Sequence, residues 1–301
     1  MINGILNVYK EKGYTSHDVV ARLRGILHQK KIGQTGTLDP DAVGVLPVCL
    51  GRATKVCDLL TDKEKEYEAV LLLGRSTDTQ DTTGAVLTER QVDADEERVR
   101  EAVASFVGVY EQIPPMYSAL KVNGKKLCDL ARAGIEVERK PRRVEIFSIQ
   151  ILEMALPRVT MRVHCSKGTY IRTLCHDIGE KLGCGGCMES LIRTRVAEFQ
   201  VKDALTLDQV EALHKTGQLQ KQILPVDQIF YNLKKAVVPE KYEKLLYNGN
   251  RLQARWFCRE EQFASKERIR VYDEKNQFIG IYRYDEEKKD VKPVKLFFET
   301  K

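Results

Sequence analysis

The sequence predicts an α/β protein of the α+β kind: a mixed α/β domain over residues 1–236 and a small, basic all-β module over 237–301. Three observations carry this. Apolar residues recur at helical spacing in Val19, Val20, Leu23, Ile26 and Leu27, and again in Ile171, Leu174, Ile178 and Leu182. Short stretches of strand character lie between and around them: Ile5 to Tyr9, Tyr67 to Leu73, and the alternating Val159 to Cys165. Beyond Pro239 only short alternating runs remain, Arg268 to Tyr272 and Phe278 to Tyr284. A chain of 301 residues can bury one large core and a second, smaller one.

The elements follow in order. Ile5 to Tyr9 reads as a strand ending in the charged loop Lys10-Glu11-Lys12-Gly13, and Thr15 or Ser16 can cap the first helix. Arg22, Arg24, His28, Lys30 and Lys31 form a basic patch, read equally as a solvated helix face or as a phosphate contact. Val45 to Leu50 is a short apolar run broken by Gly51, Arg52 to Leu60 suits a helix, and Tyr67 to Leu73 reads as a buried strand stopped by Gly74. Arg75 to Gly84 is a polar loop, whose Asp78 and Asp81 are too few oxygen ligands for an EF-hand-type calcium site.

Asp95 to Phe106 forms a helix closed by Gly108, and Tyr110 to Pro115 returns as an edge segment. Asn123-Gly124 marks a turn, and Lys125 to Arg132 is a short helical stretch. Arg139-Lys140-Pro141-Arg142-Arg143 packs four cations around a proline, as a phosphate-gripping loop would. Two strands, Val144 to Leu152 and Val159 to Cys165, precede a helix that Tyr170 opens and Gly183 closes. Arg172 falls at the positive end of that helix's dipole, so the sequence calls for a carboxylate partner. Met188 to Val201 reads as another strand, and Thr206 to Gln209 matches a capping box. Ile223 to Ala236 is connecting chain. In the tail, Trp256, Tyr272, Tyr282 and Tyr284 are either stacking faces or core.

Composition narrows the class. At 43% apolar and 31% charged, with no biased tract, the chain suits a folded protein rather than a disordered one. No apolar run approaches membrane-spanning length, and the N-terminus lacks the basic and apolar regions of a secretory signal, so a cytoplasmic protein without a membrane partner is expected. Its eight cysteines then read as reduced thiols, and Cys184-Gly-Gly-Cys187 as coincidence within a glycine-rich turn, because no second ligand pair accompanies it. Net charge is only +6, but residues 234–301 hold 17 Lys+Arg against 12 Asp+Glu. That excess suits contact with phosphates, or simply a solvated surface.

The stretch on which function turns is Gly33-Gln34-Thr35-Gly36-Thr37-Leu38-Asp39-Pro40. Pro40 biases Asp39 away from the helical region, and the glycines permit a tight turn. Asp39 is either held for chemistry or bonded to its own backbone in an Asx-type turn.

With Gly44, Leu46-Pro47, Leu50-Gly51 and Ala53-Thr54-Lys55, this stretch resembles the signature of TruB-type pseudouridine synthases. Further matches are Tyr67, Thr77-Asp78-Thr79-x-Asp81, Met116 to Lys121, Ser166 to Arg172, Leu182 to Gly185 and Leu191-x-Arg193-Thr194. The resemblance implies a pseudouridine synthase fold, with a mixed, largely antiparallel sheet flanked by helices and a β-rich PUA-like module at the C-terminus. It implies isomerisation of uridine 55 in the T-loop of tRNA, with a flipped-out base, no cofactor and no metal. It also implies a monomer that binds the tRNA T-arm through an insertion at 116–143, without guide RNA. Carried over by position, Asp39 is the catalytic aspartate and Arg172 its partner. Tyr67 stacks on the target base and is a candidate for proton removal, Tyr170 and Leu191 line the pocket, and Gln34 and Lys10 fall at substrate-contact positions. Two departures stand out: Gln34 occupies the family's usual His position, and Glu11 replaces the proline of the N-terminal motif.

Overall fold

The computed structural model describes residues 1–258 and 262–298, and its strands fall into one large and one small sheet, with two short hairpins besides. In chain order the first part contains β1 (Gly4–Lys10), α1 (Ser16–Ile26), β2 (Ile32–Gln34), β3 (Val43–Leu50), β4 (Lys65–Leu73), α2 (Glu96–Ala104) and β5 (Gly108–Gln112). It continues with β6 (Arg142–Ala155), β7 (Arg158–Cys165), α3 (Ile171–Leu182), β8 (Gly186–Val196), α4 (Leu207–Lys215) and β9 (Ile223–Leu224). The strand order is β9-β1-β3-β8-β4-β7-β6-β5, with β2 beside β3 and the short strand Phe199–Gln200 beside β8. Only β3 and β8 pair in parallel, so the sheet is mixed and largely antiparallel, as expected.

The helices sit where their apolar stripes demand. Val19 and Leu23 of α1 and Val210 of α4 pack on Leu6, Leu46 and Val48 of the sheet. Val99 and Val103 of α2 and Leu174 and Ile178 of α3 pack on Leu71, Met161 and Val163. Burying each such side chain contributes about 1.5–3 kcal/mol. Capping boxes open α1 (Thr15 with Asp18) and α4 (Thr206 with Gln209), and Gly183, with φ 78°, closes α3. Ser16, freed from the cap, accepts the Leu38 N–H at 2.9 Å and ties α1 to the Asp39 loop.

The second part is a five-stranded sheet of β10 (Lys234–Val238), β11 (Leu252–Gln253), β12 (Arg268–Asp273), β13 (Phe278–Asp285) and β14 (Asp290–Leu296). Their order is β10-β12-β13-β14-β11. The β12–β13 hairpin lies where the alternating runs place it. The aromatic residues serve as core: Tyr282 and Tyr272 are buried, and Trp256 stacks on Tyr242 at 4.5 Å. This core is continuous with the first, since Ile281 and Phe297 pack in one cluster with Ile5, Val45 and Cys49.

Several sequence expectations are corrected. The boundary at 236/237 cuts through β10, all five residues of which pair with β12, so the second sheet begins at Lys234. Pro239 ends this strand rather than preceding the module, and residues 299–301 of the expected span lie outside the described residues. Arg52 to Leu60 is a 3-10 helix, Gly51–Val56, followed by a short α-helix, Cys57–Thr61. The Arg75 to Gly84 loop begins as a strand, Arg75–Thr77, paired with Val86–Glu89. Within the supposed connecting chain, β9 adds an edge strand to β1. These short pieces lack the length that makes periodicity legible. Among the described residues no helix is long and apolar enough to cross a membrane.

Candidate active site

Asp39 lies in the loop between β2 and β3, and that loop is tied down at every turn. The Thr35 hydroxyl donates to Pro47 O at 2.9 Å, Gly13 N to Pro40 O at 3.0 Å, and Ala42 N to Asp39 O at 3.1 Å. Gly44, with φ 109°, has no room for a side chain: a Cβ there would stand 2.3 Å from the carbonyl oxygen of Arg193. The β3–β8 contact, and with it the position of the loop, depends on this glycine.

The Asp39 carboxylate is engaged by a guanidinium. Arg172 Nε stands 3.0 Å from Oδ2, and Arg172 Nη2 donates to Oδ1 at 3.2 Å, a two-point fork. The rest of the Arg172 head is also occupied. Nη1 donates to Thr79 O at 3.0 Å and lies 3.8 Å from Asp81, and Nη2 donates to Tyr117 O at 2.9 Å. The Arg172 side chain is 6% exposed, whereas that of Asp39 keeps 40% of its surface open. The acid is thus held from behind by a buried cation and presented in front. Burial raises the Asp39 pKa, and Arg172 opposes this more strongly than any other neighbour; Asp81 adds to the rise and Lys10 opposes it. The sequence argument considered only the Arg pairing, and the structure adds burial as the larger effect.

Tyr67 and Leu191 stand in the neighbouring strands β4 and β8, both 8% exposed, and belong to the same core cluster as Leu38. Burial pushes the Tyr67 hydroxyl up to about 12, with Arg193 and its positive charge drawing it back. Tyr170 is the N-cap residue of α3, two residues before Arg172, and burial raises its hydroxyl too. The structure therefore brings Asp39, Tyr67, Tyr170, Arg172 and Leu191 into one region.

Lys10 departs from expectation. It is fully buried, and its ammonium donates to Glu11 O at 3.0 Å, Tyr14 O at 2.6 Å and Pro40 O at 3.0 Å. Its donors are spent on backbone carbonyls, so it braces the Asp39 turn and has no free donor for the substrate contact expected of it. Burial lowers its pKa to about 8, with Asp39 the main opposing charge. Gln34 also serves its own turn: Oε1 accepts the Gly36 N–H. Gln34→His is expected to change RNA affinity or single-turnover rate by about 5-fold, the scale of one hydrogen bond, with product formation retained. Unchanged values in both measurements would contradict that.

Three features escaped the sequence reading as site parts. Arg193 is 1% exposed and donates to Val45 O at 2.7 Å and Gly36 O at 3.2 Å, while pairing across the sheet with Tyr67. Its place in the Leu191-x-Arg193-Thr194 match was the available signal. In the second feature, Asp81 Oδ1 accepts from the Thr79 hydroxyl at 2.7 Å and the Thr83 hydroxyl at 2.6 Å, shaping the loop that offers Thr79 O to Arg172. Asp78 shapes the same loop, its Oδ1 accepting from Ala85 N at 2.8 Å. The third is Gln112, 1% exposed and bonded to Tyr170. In the insertion, Arg139 is tied to Glu136 and to Pro114 O, whereas Lys140, Arg142 and Arg143 are exposed.

A braced aspartate forked by a buried arginine, with tyrosines around it and a mixed sheet behind, is the arrangement that the resemblance to pseudouridine synthases implies. Comparison with known proteins agrees. The N-terminal domain of TruB family pseudouridylate synthases matches residues 24–171, and the C-terminal domain of tRNA pseudouridylate synthase B matches residues 172–231. The tRNA pseudouridine synthase B of Lachnoclostridium phytofermentans is 56% identical over 98% of this chain and 100% of its own, and that of Alkaliphilus oremlandii 46% identical over 99% of each. Among solved structures, a Cbf5-Nop10-Gar1 complex superposes with a TM-score of 0.72 at 27% identity, covering 99% of this chain and 85% of the other. The chain belongs to the TruB family of pseudouridylate synthases.

Proposed function

We propose that this protein isomerises uridine 55 in the T-loop of tRNA to pseudouridine, acting as a monomer in the cytoplasm on the T-arm, without guide RNA. The observation that carries the chemistry is the two-point fork of buried Arg172 on the half-open Asp39 carboxylate. In this reaction the bond from N1 to the sugar breaks, the uracil turns, C5 bonds to the same sugar carbon and then gives up its proton, and N1 gains one, so that the product is an isomer of the substrate. Asp39 answers the electron deficiency of the sugar, or adds to the ring, while Arg172 fixes its two oxygens. A flipped base loses its stacking, and the face of Tyr67 replaces it, with Tyr170 and Leu191 closing the pocket. Exposed Lys140, Arg142 and Arg143 within the 116–143 insertion supply phosphate contacts. Independence from a guide is favoured by the naming of the 56%-identical relative as a tRNA pseudouridine synthase, against 27% identity to the chain from the Cbf5-Nop10-Gar1 complex.

The test is incubation of the purified protein alone with an unmodified tRNA transcript, followed by mapping of pseudouridine. Product at position 55 without any guide is expected. Tight binding without product would overturn the assignment.

A further inference from the structure

Gln112 is the last residue of β5, immediately before the chain leaves the sheet for the insertion. Its carboxamide is spent on one neighbour's backbone. Nε2 donates to Tyr170 O at 2.9 Å, and Oε1 accepts from Tyr170 N at 2.8 Å. This two-point contact imitates a β-ladder rung with a side chain. Tyr170 is an N-cap with extended backbone, φ −95° and ψ 109°, and its own side chain makes no capping bond. The clamp from Gln112 therefore fixes the backbone of the N-cap residue itself, at the entry to a helix that no capping side chain holds.

The amide cannot turn over without loss. The second N–H of Nε2 points to the Tyr110 hydroxyl, so a flip would set the oxygen against Tyr170 O and leave the Tyr170 N–H facing a donor, while Tyr170 O keeps the Leu174 N–H at 3.1 Å. Tyr110 is held in turn by Phe106, which its ring meets edge-on with centroids 5.4 Å apart. The chain Tyr110, Gln112, Tyr170 thus ends at the entry of α3, two residues before Arg172, on the turn that aims Arg172 at Asp39.

We propose that Gln112 is a positioning residue of the isomerisation: its clamped amide sets Tyr170 in the pocket and Arg172 on Asp39. Gln112 itself touches no reacting atom. The inference rests on the reading of Asp39 as the catalytic acid. Two consequences separate this role from plain stabilisation. The rate of the bound complex depends on Gln112, and T-arm affinity does not: Arg142 is its cross-strand partner, but the two strands are joined through their backbones, and the Arg142 and Arg143 side chains stay exposed whatever side chain stands at 112.

The experiment compares Gln112→Leu, which removes both bonds, with Gln112→Glu, which keeps the acceptor for Tyr170 N and loses the donor. Single-turnover rate at saturating tRNA transcript, T-arm Kd and melting temperature are measured for each. Gln112→Leu is expected to lose about 30-fold or more in rate, the scale of two lost buried hydrogen bonds, with Kd within about 3-fold. Gln112→Glu is expected to fall between it and the parent, at a temperature where both variants are folded. Should Gln112→Leu fail to fold, the Gln112→Glu rate alone decides. Unchanged saturating rates, or losses that follow Kd alone, would overturn the proposal. Asp39→Asn measured alongside separates the failures. A dead Asp39→Asn with a normal Gln112→Leu overturns only this inference, and an active Asp39→Asn overturns the site reading beneath it.

Discussion

Asp39→Asn is expected to lose at least about 10⁴-fold in single-turnover rate while binding the T-arm as before. The substitution keeps the shape of the side chain and removes the charge and nucleophilicity that the proposed chemistry uses. Its geometry argues for a clean loss. The loop is fixed by Thr35, Gly13, Ala42 and Lys10 contacts that do not involve the carboxylate, so the amide enters the same place. The same carboxylate sets a pH dependence. Because its pKa is raised above 3.8, mainly by burial, the rate in the parent protein falls as pH drops through that raised value. The acid limb of the rate profile therefore lies above the range of an ordinary aspartate. A profile with no acid limb down to the pKa of a free aspartate would contradict the proposed ionised acid.

Arg172→Lys is the second large effect. Lysine keeps the charge but offers a point donor in place of a planar fork. The native head reaches Asp39 at both oxygens, Thr79 O and Tyr117 O, and one ammonium cannot satisfy all of these. The expected outcome is a rate loss of about 10²-fold or more with only modest weakening of RNA binding. Arg172→Met goes further, leaving Asp39 without its cation. Removing one member of a buried pair costs about 3–5 kcal/mol, and here less, about 2 kcal/mol, because the Asp39 side chain is 40% exposed and water screens it. Chemical denaturation reads that cost, and Arg172→Met as stable as the parent would show that the pair serves chemistry alone.

Much of this site could be read before any coordinates. Asp39 sat in a turn that Pro40 and two glycines constrain, and Arg172 at a helix start, where a cation opposes the dipole, asked for an acid. Those are local arguments, and they survive folding. Gln112 had no such signature: its partner is 58 residues away, and a glutamine in a polar edge segment looks like solvated surface. Lys10 failed for the opposite reason. Its place in the N-terminal motif implied a substrate contact, but the chain folds three carbonyls around it, which a one-dimensional pattern does not record. The misplaced boundary has a similar origin. Lys234–Val238 pairs in parallel with a strand more than thirty residues on, and Pro239 was the louder local signal.

The order in which the parts are made has a consequence of its own. Asp39 and Arg172 are 133 residues apart in the chain, and β1 is flanked by β3 on one side and by Ile223–Leu224 on the other. At a synthesis rate of about 5–20 residues per second, roughly ten seconds separate the emergence of the acid from that of its partner. During that interval Asp39 is an ordinary hydrated aspartate on an unfinished sheet, and closure of the sheet waits longer still for β9. Such long-range pairing makes folding slow. It also means that the acid gains its fork only after β7 and the first turn of α3 have been made.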